Sequence, residues 1–164
     1  MSAERTVQFG PAIAADARAL SDLARTAKAA WGYPADWMRA WADQFEITPD
    51  ELAQLWVCVA RVDGRATGFV ALDVRGPAEI THLWVAPGCQ RRGVGRRLLA
   101  AAIEEARRRR LPSLAIDSDP NAVAFYEACG ARRVGSRPAP MPGAPERVLP
   151  RLRIDLAGGP SSQA

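Results

Sequence analysis

Apolar positions along the chain follow two periods. From Val94 onward they recur at 94, 98, 99, 102, 103 and 106, the spacing of one helical face. Just before this stripe, Ile80-Thr81-His82-Leu83-Trp84-Val85 reads as an apolar strand, and Ala86-Pro87-Gly88 supplies a turn. Upstream, a short strand near residues 6–9 precedes an Ala-rich helix over 11–30, with Ile13, Ala17, Leu20, Leu23 and Ala24 on one face. Trp31-Gly32-Tyr33-Pro34 breaks that helix, and residues 35–46 read as a second one. Residues 55–61 and 67–74 alternate around Asp63-Gly64, a hairpin signal. Strands at 79–85, 113–117, 132–136 and 148–156 and a helix over 120–129 complete the pattern. Residues 138–145 hold four prolines and Gly143 and form a loop. There are no internal repeats, and residues 157–164 read as a frayed tail. The order predicts an α/β fold with a mixed, mainly antiparallel sheet flanked by helices, in a single domain over 1–156.

Gln90-Arg91-Arg92-Gly93-Val94-Gly95-Arg96 lies where the strand-loop becomes a helix N-terminus. Free backbone N–H groups and the positive end of the helix dipole converge there, which makes an anion the natural ligand. Gly93 and Gly95 let a diphosphate approach the backbone without an intervening Cβ. A P-loop is excluded, because it requires Gly-Lys-Ser/Thr and the chain's one lysine is Lys28. A dinucleotide fingerprint is excluded too, since Leu98 fills the slot of its third glycine.

The pattern Gln-x-x-Gly-x-Gly after an apolar strand resembles the acetyl-CoA motif of the GNAT N-acetyltransferase superfamily. A second motif follows in register, Asp119-Pro120-Asn121-Ala122-Val123-Ala124-Phe125-Tyr126-Glu127-Ala128-Cys129-Gly130. It resembles the superfamily's helix ending in Phe/Leu-Tyr-Glu before a Gly and a strand. Asp119 is its N-cap, Pro120 opens it and Gly130 stops it. Asp119 departs from the family pattern, which often has a cofactor-contacting Asn seven residues before the Tyr; here Asn121 stands two residues later. The resemblance implies the GNAT acyl-CoA N-acyltransferase fold and acetyl-CoA as co-substrate. It further implies that Gln90, Arg91, Arg92, Gly93, Val94, Gly95 and Arg96 hold the diphosphate. The backbone of Leu83, Trp84 and Val85 would lie along the pantetheine arm, with Asn121 and Tyr126 beside it. Superfamily relatives are often dimers, so a homodimer is among the expectations.

Composition narrows the picture. A chain of 164 residues holds a substantial core. No apolar run approaches the roughly 18 residues of a membrane span, and the N-terminus has no signal pattern. Cys58, Cys89 and Cys129 form neither a metal-ligand spacing nor an even framework, in keeping with a reducing cytoplasm, and no metal is expected. The net charge is +4, and all but one of the 22 basic residues are Arg. Such patches bind phosphates, so an Arg-rich nucleic-acid module is a competing reading. Against it, Arg91–Arg96 have a closer anion in the CoA diphosphate. Arg107–Arg110 end a helix with Glu104 and Glu105 one turn back, and few aromatics lie nearby for stacking.

Acetyl transfer to an amine needs a way to lose the amine's proton and to stabilise the leaving thiolate. Tyr126 occupies the position of the family's general-acid Tyr. Counted back from the Arg/Gly motif, Glu79 falls where histone-acetylating members carry their catalytic Glu. Strand parity puts Glu79, Thr81, Leu83 and Val85 on one face and Ile80, His82 and Trp84 on the other, which makes His82 a core residue unless a bulge shifts the parity. At the acceptor end, five of the 11 aromatics fall between 31 and 45. Trp37, Trp41 and Phe45 share one helical face and read as core. Trp31 and Tyr33 sit on the helix break and are candidates to line an acceptor pocket, with Asp36 or Asp43 to hold a cation. A non-catalytic acyl-CoA-binding or regulatory domain of the same fold is the alternative to an enzyme.

Overall fold

The computed structural model describes residues 6–156. Its strands are β1 (Gln8–Pro11), β2 (Trp56–Val62), β3 (Arg65–Asp73), β4 (Glu79–Val85), β5 (Ser113–Asp117), β6 (Arg132–Pro138) and β7 (Val148–Asp155). Its helices are α1 (Ala17–Ala29), α2 (Ala35–Ala40), α3 (Pro49–Gln54), α4 (Val94–Arg108) and α5 (Val123–Ala128). The strands form one sheet in the order β1-β2-β3-β4-β5-β7-β6, antiparallel throughout except between β4 and β5. The mixed, mainly antiparallel sheet is the one the pattern predicts. The tail expected at 157–164 lies outside the described residues.

Two cores flank the sheet. On one face Leu98, Leu99 and Ala102 of α4 and Val123 of α5 pack on Val70, Leu72, Leu114, Ile116, Leu152 and Ile154. On the other, Leu20 and Leu23 of α1 join Trp41 and Phe45 over Val57, Val59, Phe69 and Ala71. Strand β3 is covered on both faces, so Gly68 to Ala71 are buried without alternation. Strand β7 alternates exposed and buried because only its α4 side is covered.

Several boundaries moved for local reasons. Helix α1 begins only at Ala17, after a 3-10 turn at Ala14–Asp16, and Ile13 is 60% exposed instead of belonging to the stripe. The second helix stops at Ala40; Trp41 has φ −92° and ψ 1°, and the chain continues as a 3-10 turn at Ala42–Phe45. Helix α3 was not anticipated, although its signal is present. The Thr48 hydroxyl accepts from Glu51 N at 3.2 Å, the Glu51 carboxylate accepts from Thr48 N at 3.0 Å, and Pro49 follows the cap. At the predicted hairpin, Asp63 (φ 50°) and Gly64 (φ 77°) both take the left-handed conformation that a two-residue turn requires.

The parity of β4 needs correction. Leu72 pairs with Ile80 but Ala71 with His82, so Thr81 is an inserted residue. Beyond the bulge the faces exchange. Ile80, Leu83 and Val85 all pack on the α4 side, while Trp84 joins the α1 side and His82 lies against Phe69. Glu79 therefore shares the face of His82 and Trp84, not that of Leu83 and Val85.

Candidate active site

Strands β4 and β5 share a single paired position, Glu79 with Ala115, next to the bond from Ala115 N to Ala78 O at 2.9 Å. Beyond it they part, and a cleft of about 650 Å³ opens. Leu83, Trp84 and Val85 line it from β4, and Gln90, Arg91, Gly93, Gly95 and Arg96 from the following loop and first turn of α4. Asn121, Phe125 and Tyr126 line it from the segment after β5, and Ala27 and Trp31 from the α1 side, where the Trp31 ring lies 5.8 Å from that of Trp84. Arg92 and Val94 face away, lining a wider depression of about 1180 Å³ with Val7 and Arg97. Glu79 and Tyr33 also stand outside the cleft wall, adjoining it through their neighbours.

The anion cradle is built from backbone. Gly93 takes φ +75° immediately before α4, a conformation that a residue with a Cβ rarely adopts. No side chain caps the helix, and the first intrahelical bond runs from Arg97 N to Gly93 O at 3.0 Å. The N–H groups of Val94, Gly95 and Arg96 are thus left for a ligand, with Arg91 and Arg96 beside them. Gln90 turns back on the strand, its Nε2 donating to Val85 O at 3.3 Å, so it braces the loop against β4. These groups fit a diphosphate.

Tyr126 is 6% exposed. Its hydroxyl bonds to no described residue yet is not sealed in, because the ring lines the cleft. Burial raises its pKa well above the ordinary phenol value, so it is a neutral donor. Glu79 is half-buried; burial, and then the charge of Asp117, raise its pKa against the opposing pull of Arg151 and Arg137. His82 accepts from Trp84 Nε1 through Nδ1 at 3.2 Å, and burial lowers its pKa, leaving a neutral imidazole.

Beyond Trp31 lies a charged network with no signature in the local pattern. Asp119 accepts from the Lys28 ammonium, from the Tyr33 hydroxyl at 2.9 Å, and from Asn121 N at 2.8 Å and Nδ2 at 3.0 Å. Arg147 approaches the same carboxylate at 4.0 Å. The Lys28 Nζ lies 4.3, 4.9 and 5.5 Å from the ring centres of Trp41, Tyr33 and Trp31. Lys28 is only 8% exposed, and burial lowers its pKa against the pull of Asp119. For Asp119, burial acts upward, but the bonds from Lys28, Asn121 and Tyr33 hold its pKa below the ordinary carboxylate value.

The aromatic cluster expected at the helix break therefore already holds a cation, the chain's own, and the acid beside it is Asp119. Asp36 instead accepts from Trp37 N at 3.0 Å. Asn121 reaches the cleft with both amide hydrogens spent, on Asp119 and on Tyr33 Oη at 2.9 Å, so it offers a ligand only its carbonyl oxygen. One clue to the network was present in the composition: a chain that uses Arg for every other basic residue keeps one Lys, where a compact ammonium fits among three rings.

Divided sheet and backbone cradle define a protein that takes an anionic ligand at a helix N-terminus, and the sequence places it more narrowly. A model of the acetyltransferase (GNAT) family matches residues 18–131. The chain belongs to that family. It superposes on a GCN5-related N-acetyltransferase from Rhodopseudomonas palustris with a TM-score of 0.77 at 21% identity, covering 95% of this chain and 99% of that one. The ribosomal-protein-S18-alanine N-acetyltransferase of Escherichia coli gives 0.71 at 19% identity over 97% and 99%. PaiA N-acetyltransferase of Thermoplasma acidophilum, solved in complex with coenzyme A, gives 0.72 at 15% over 92% and 99%. No curated protein sequence matches the chain. Among the described residues, no helix is long and apolar enough to cross a membrane, and no group of three or more His, Cys, Asp or Glu is placed to hold a metal ion.

Proposed function

We propose that the protein transfers the acetyl group of acetyl-CoA to a primary amine by direct attack within a ternary complex. The observation that carries this reading is the cleft itself, with the anion cradle at one end and Tyr126 and Trp31 toward the other. The Val94–Arg96 amides, Arg91 and Arg96 hold the diphosphate, and the parted edge of β4 receives the pantetheine arm. The Asn121 carbonyl is an acceptor for a pantetheine amide.

The chain's residues then manage protons. An alkyl amine with pKa about 10.4 must give up its proton at a cost of about 4.6 kcal/mol at neutral pH. Glu79, with its raised pKa, is a carboxylate suited to receive that proton directly or through water. The amine nitrogen bonds to the carbonyl carbon, the carbon–sulfur bond breaks, and the departing thiolate takes up the proton that the acylated nitrogen still has to shed. Full transfer from Tyr126 to a thiolate of pKa about 8.5 is uphill, because burial strengthens the phenol's hold on its proton. Its hydroxyl acts as a hydrogen-bond donor to sulfur as negative charge develops. The nucleic-acid reading loses ground, since Arg108 and Arg109 both bond the buried carboxylate of Glu105.

The test is calorimetric titration with acetyl-CoA, followed by CoA release across a panel of amines. Tyr126→Phe is expected to lower kcat about 100-fold with little change in acetyl-CoA KM. Glu79→Gln removes the acid limb of the kcat/KM profile, a limb expected above the ordinary Glu pKa of about 4.3. Binding without CoA release for any amine would instead establish the regulatory alternative.

A further inference from the structure

The acceptor side of the sheet carries a charge imbalance. Asp117, at the end of β5, accepts from Arg137 Nε of β6 at 2.8 Å and pairs with Arg151 Nε of β7 at 3.1 Å. Both arginines use only Nε in these contacts and are about half exposed, at 52% and 53%. Their terminal nitrogens contact no described residue, so each presents the N–H groups of both terminal nitrogens to solvent. This pair lies beside the cleft: Asp117, Arg151 and Arg137 are the charges that act most strongly on Glu79, whose backbone pairs with Ala115 two residues earlier on β5. With Lys28 and Arg147, four cations face Asp117, Asp119 and Glu79. One positive charge is left over even when Glu79 is ionised.

A recurrence of the same arrangement gives an internal control. Asp155 bonds Arg132 Nε and Arg153 Nε at 2.9 Å each, again leaving the terminal nitrogens unspent. Arg153 pairs with Ala115, Glu79's own partner, but is drawn back to Asp155 at the Ser113 end of β5, whereas Asp117 lies beyond the Glu79–Ala115 pair, where β4 and β5 part. Cross-strand pairing alone accounts for both groups, but only the first lies on the side of the Glu79–Ala115 pair where the two strands separate and the cleft opens.

We propose that Arg137 and Arg151 form an anion subsite for the acceptor, and that the acceptor is an amine bearing a carboxylate, an amino acid or close analogue, whose nitrogen is thereby set beside Glu79. This rests on the acetyltransferase reading and names its substrate class. A single surplus charge matches a monoanion better than a dianionic phosphate. The aromatic cluster points the same way, because Lys28 already fills it and denies it to the ammonium of a polyamine. A guanidinium pair can grip a carboxylate through parallel N–H bonds, so the subsite fixes orientation as well as charge.

The test compares L-amino acids with their carboxamides as acceptors, in the wild type, in Arg137→Gln/Arg151→Gln, and in Arg132→Gln/Arg153→Gln. The free acids are expected to have at least tenfold higher kcat/KM than the amides. That preference should vanish in the first double variant through a rise in acceptor KM, and persist in the second, with acetyl-CoA KM constant throughout. Calorimetry of N-acetyl-L-phenylalanine and of its amide against the CoA complex gives a readout that needs no turnover. Tighter binding of the acid, lost only in the first variant, supports the subsite even if no amine is acetylated, in which case the enzyme reading fails alone. Equal use or equal binding of acid and amide, or equal losses in the two double variants, overturns the subsite while leaving acetyl-CoA binding and transfer intact.

Discussion

The cradle in the cleft and the charged network beside it, at the proposed acceptor end, are held together by different means. At the proposed cofactor end, the groups left for a ligand are the backbone amides of three consecutive residues, Val94 to Arg96, positioned by Gly93 at positive φ and by the start of α4. At the acceptor end, Lys28, Tyr33, Asp119 and Arg147 come from separate parts of the chain and meet at one carboxylate, with Lys28 and Asp119 separated by 91 positions. A site made of backbone survives most substitutions around it, because only residues that change φ or add like charge disturb it. A site made of distant side chains depends on each of them. The cofactor end can thus stay constant while the acceptor end varies.

Three substitutions test this contrast, and the largest effect belongs to the acceptor end. Asp119→Asn leaves the buried Lys28 ammonium without a carboxylate and is expected to destabilise the fold by about 3–5 kcal/mol. Denaturant titration checks this, and acetyl-CoA affinity of the folded fraction should change little. The pH dependence has a definite sign. The pKa of Asp119 is lower in the folded state, so its contribution is present above the unfolded value of about 3.9 and is lost as pH falls through the folded value. Melting curves of the wild type and variant should therefore converge below about pH 4.

Gly93→Asp comes next and reverses the pattern. It forces a Cβ into φ +75° and puts a carboxylate among the cradle amides, so acetyl-CoA Kd should rise about 100-fold, or about 2.7 kcal/mol, by calorimetry. No atom lies within 4 Å of the new Cβ, so the core is untouched and most of the wild-type stability should remain. Tyr33→Phe is the smallest. It removes one donor to Asp119 and the acceptor of one Asn121 hydrogen, for about 1 kcal/mol. The acceptor KM should rise a few-fold at constant acetyl-CoA KM; a change confined to acetyl-CoA would mean that the two ends are not separable.

The same contrast explains what the sequence revealed. The strand-loop-helix from Ile80 through Ala106 was legible because glycines, turn residues and periodicity all act within a few residues. The Asp63-Gly64 hairpin was legible for the same reason. Parity along β4 failed because one bulge at Thr81 depends on how two strands match, not on β4 alone. Helix α3 was legible in Thr48-Pro49-Asp50-Glu51 but is short enough to be missed without attention to caps. The partners of Asp119 had no local signature at all. Its expected role as a helix cap does hold, since it accepts from Asn121 N, but most of its bonds come from other elements. Lys28 and Arg147 join the Asp119 network only once the fold brings them together.

The burial of Lys28 has a chemical corollary. Acetyl-CoA is itself an acylating reagent, and exposed lysine amines are its ordinary protein targets. This chain displaces lysine with arginine everywhere except at one residue, and that residue is enclosed by indole and phenol rings and bound to a carboxylate. Amine-directed labels should therefore spare Lys28 until the protein unfolds.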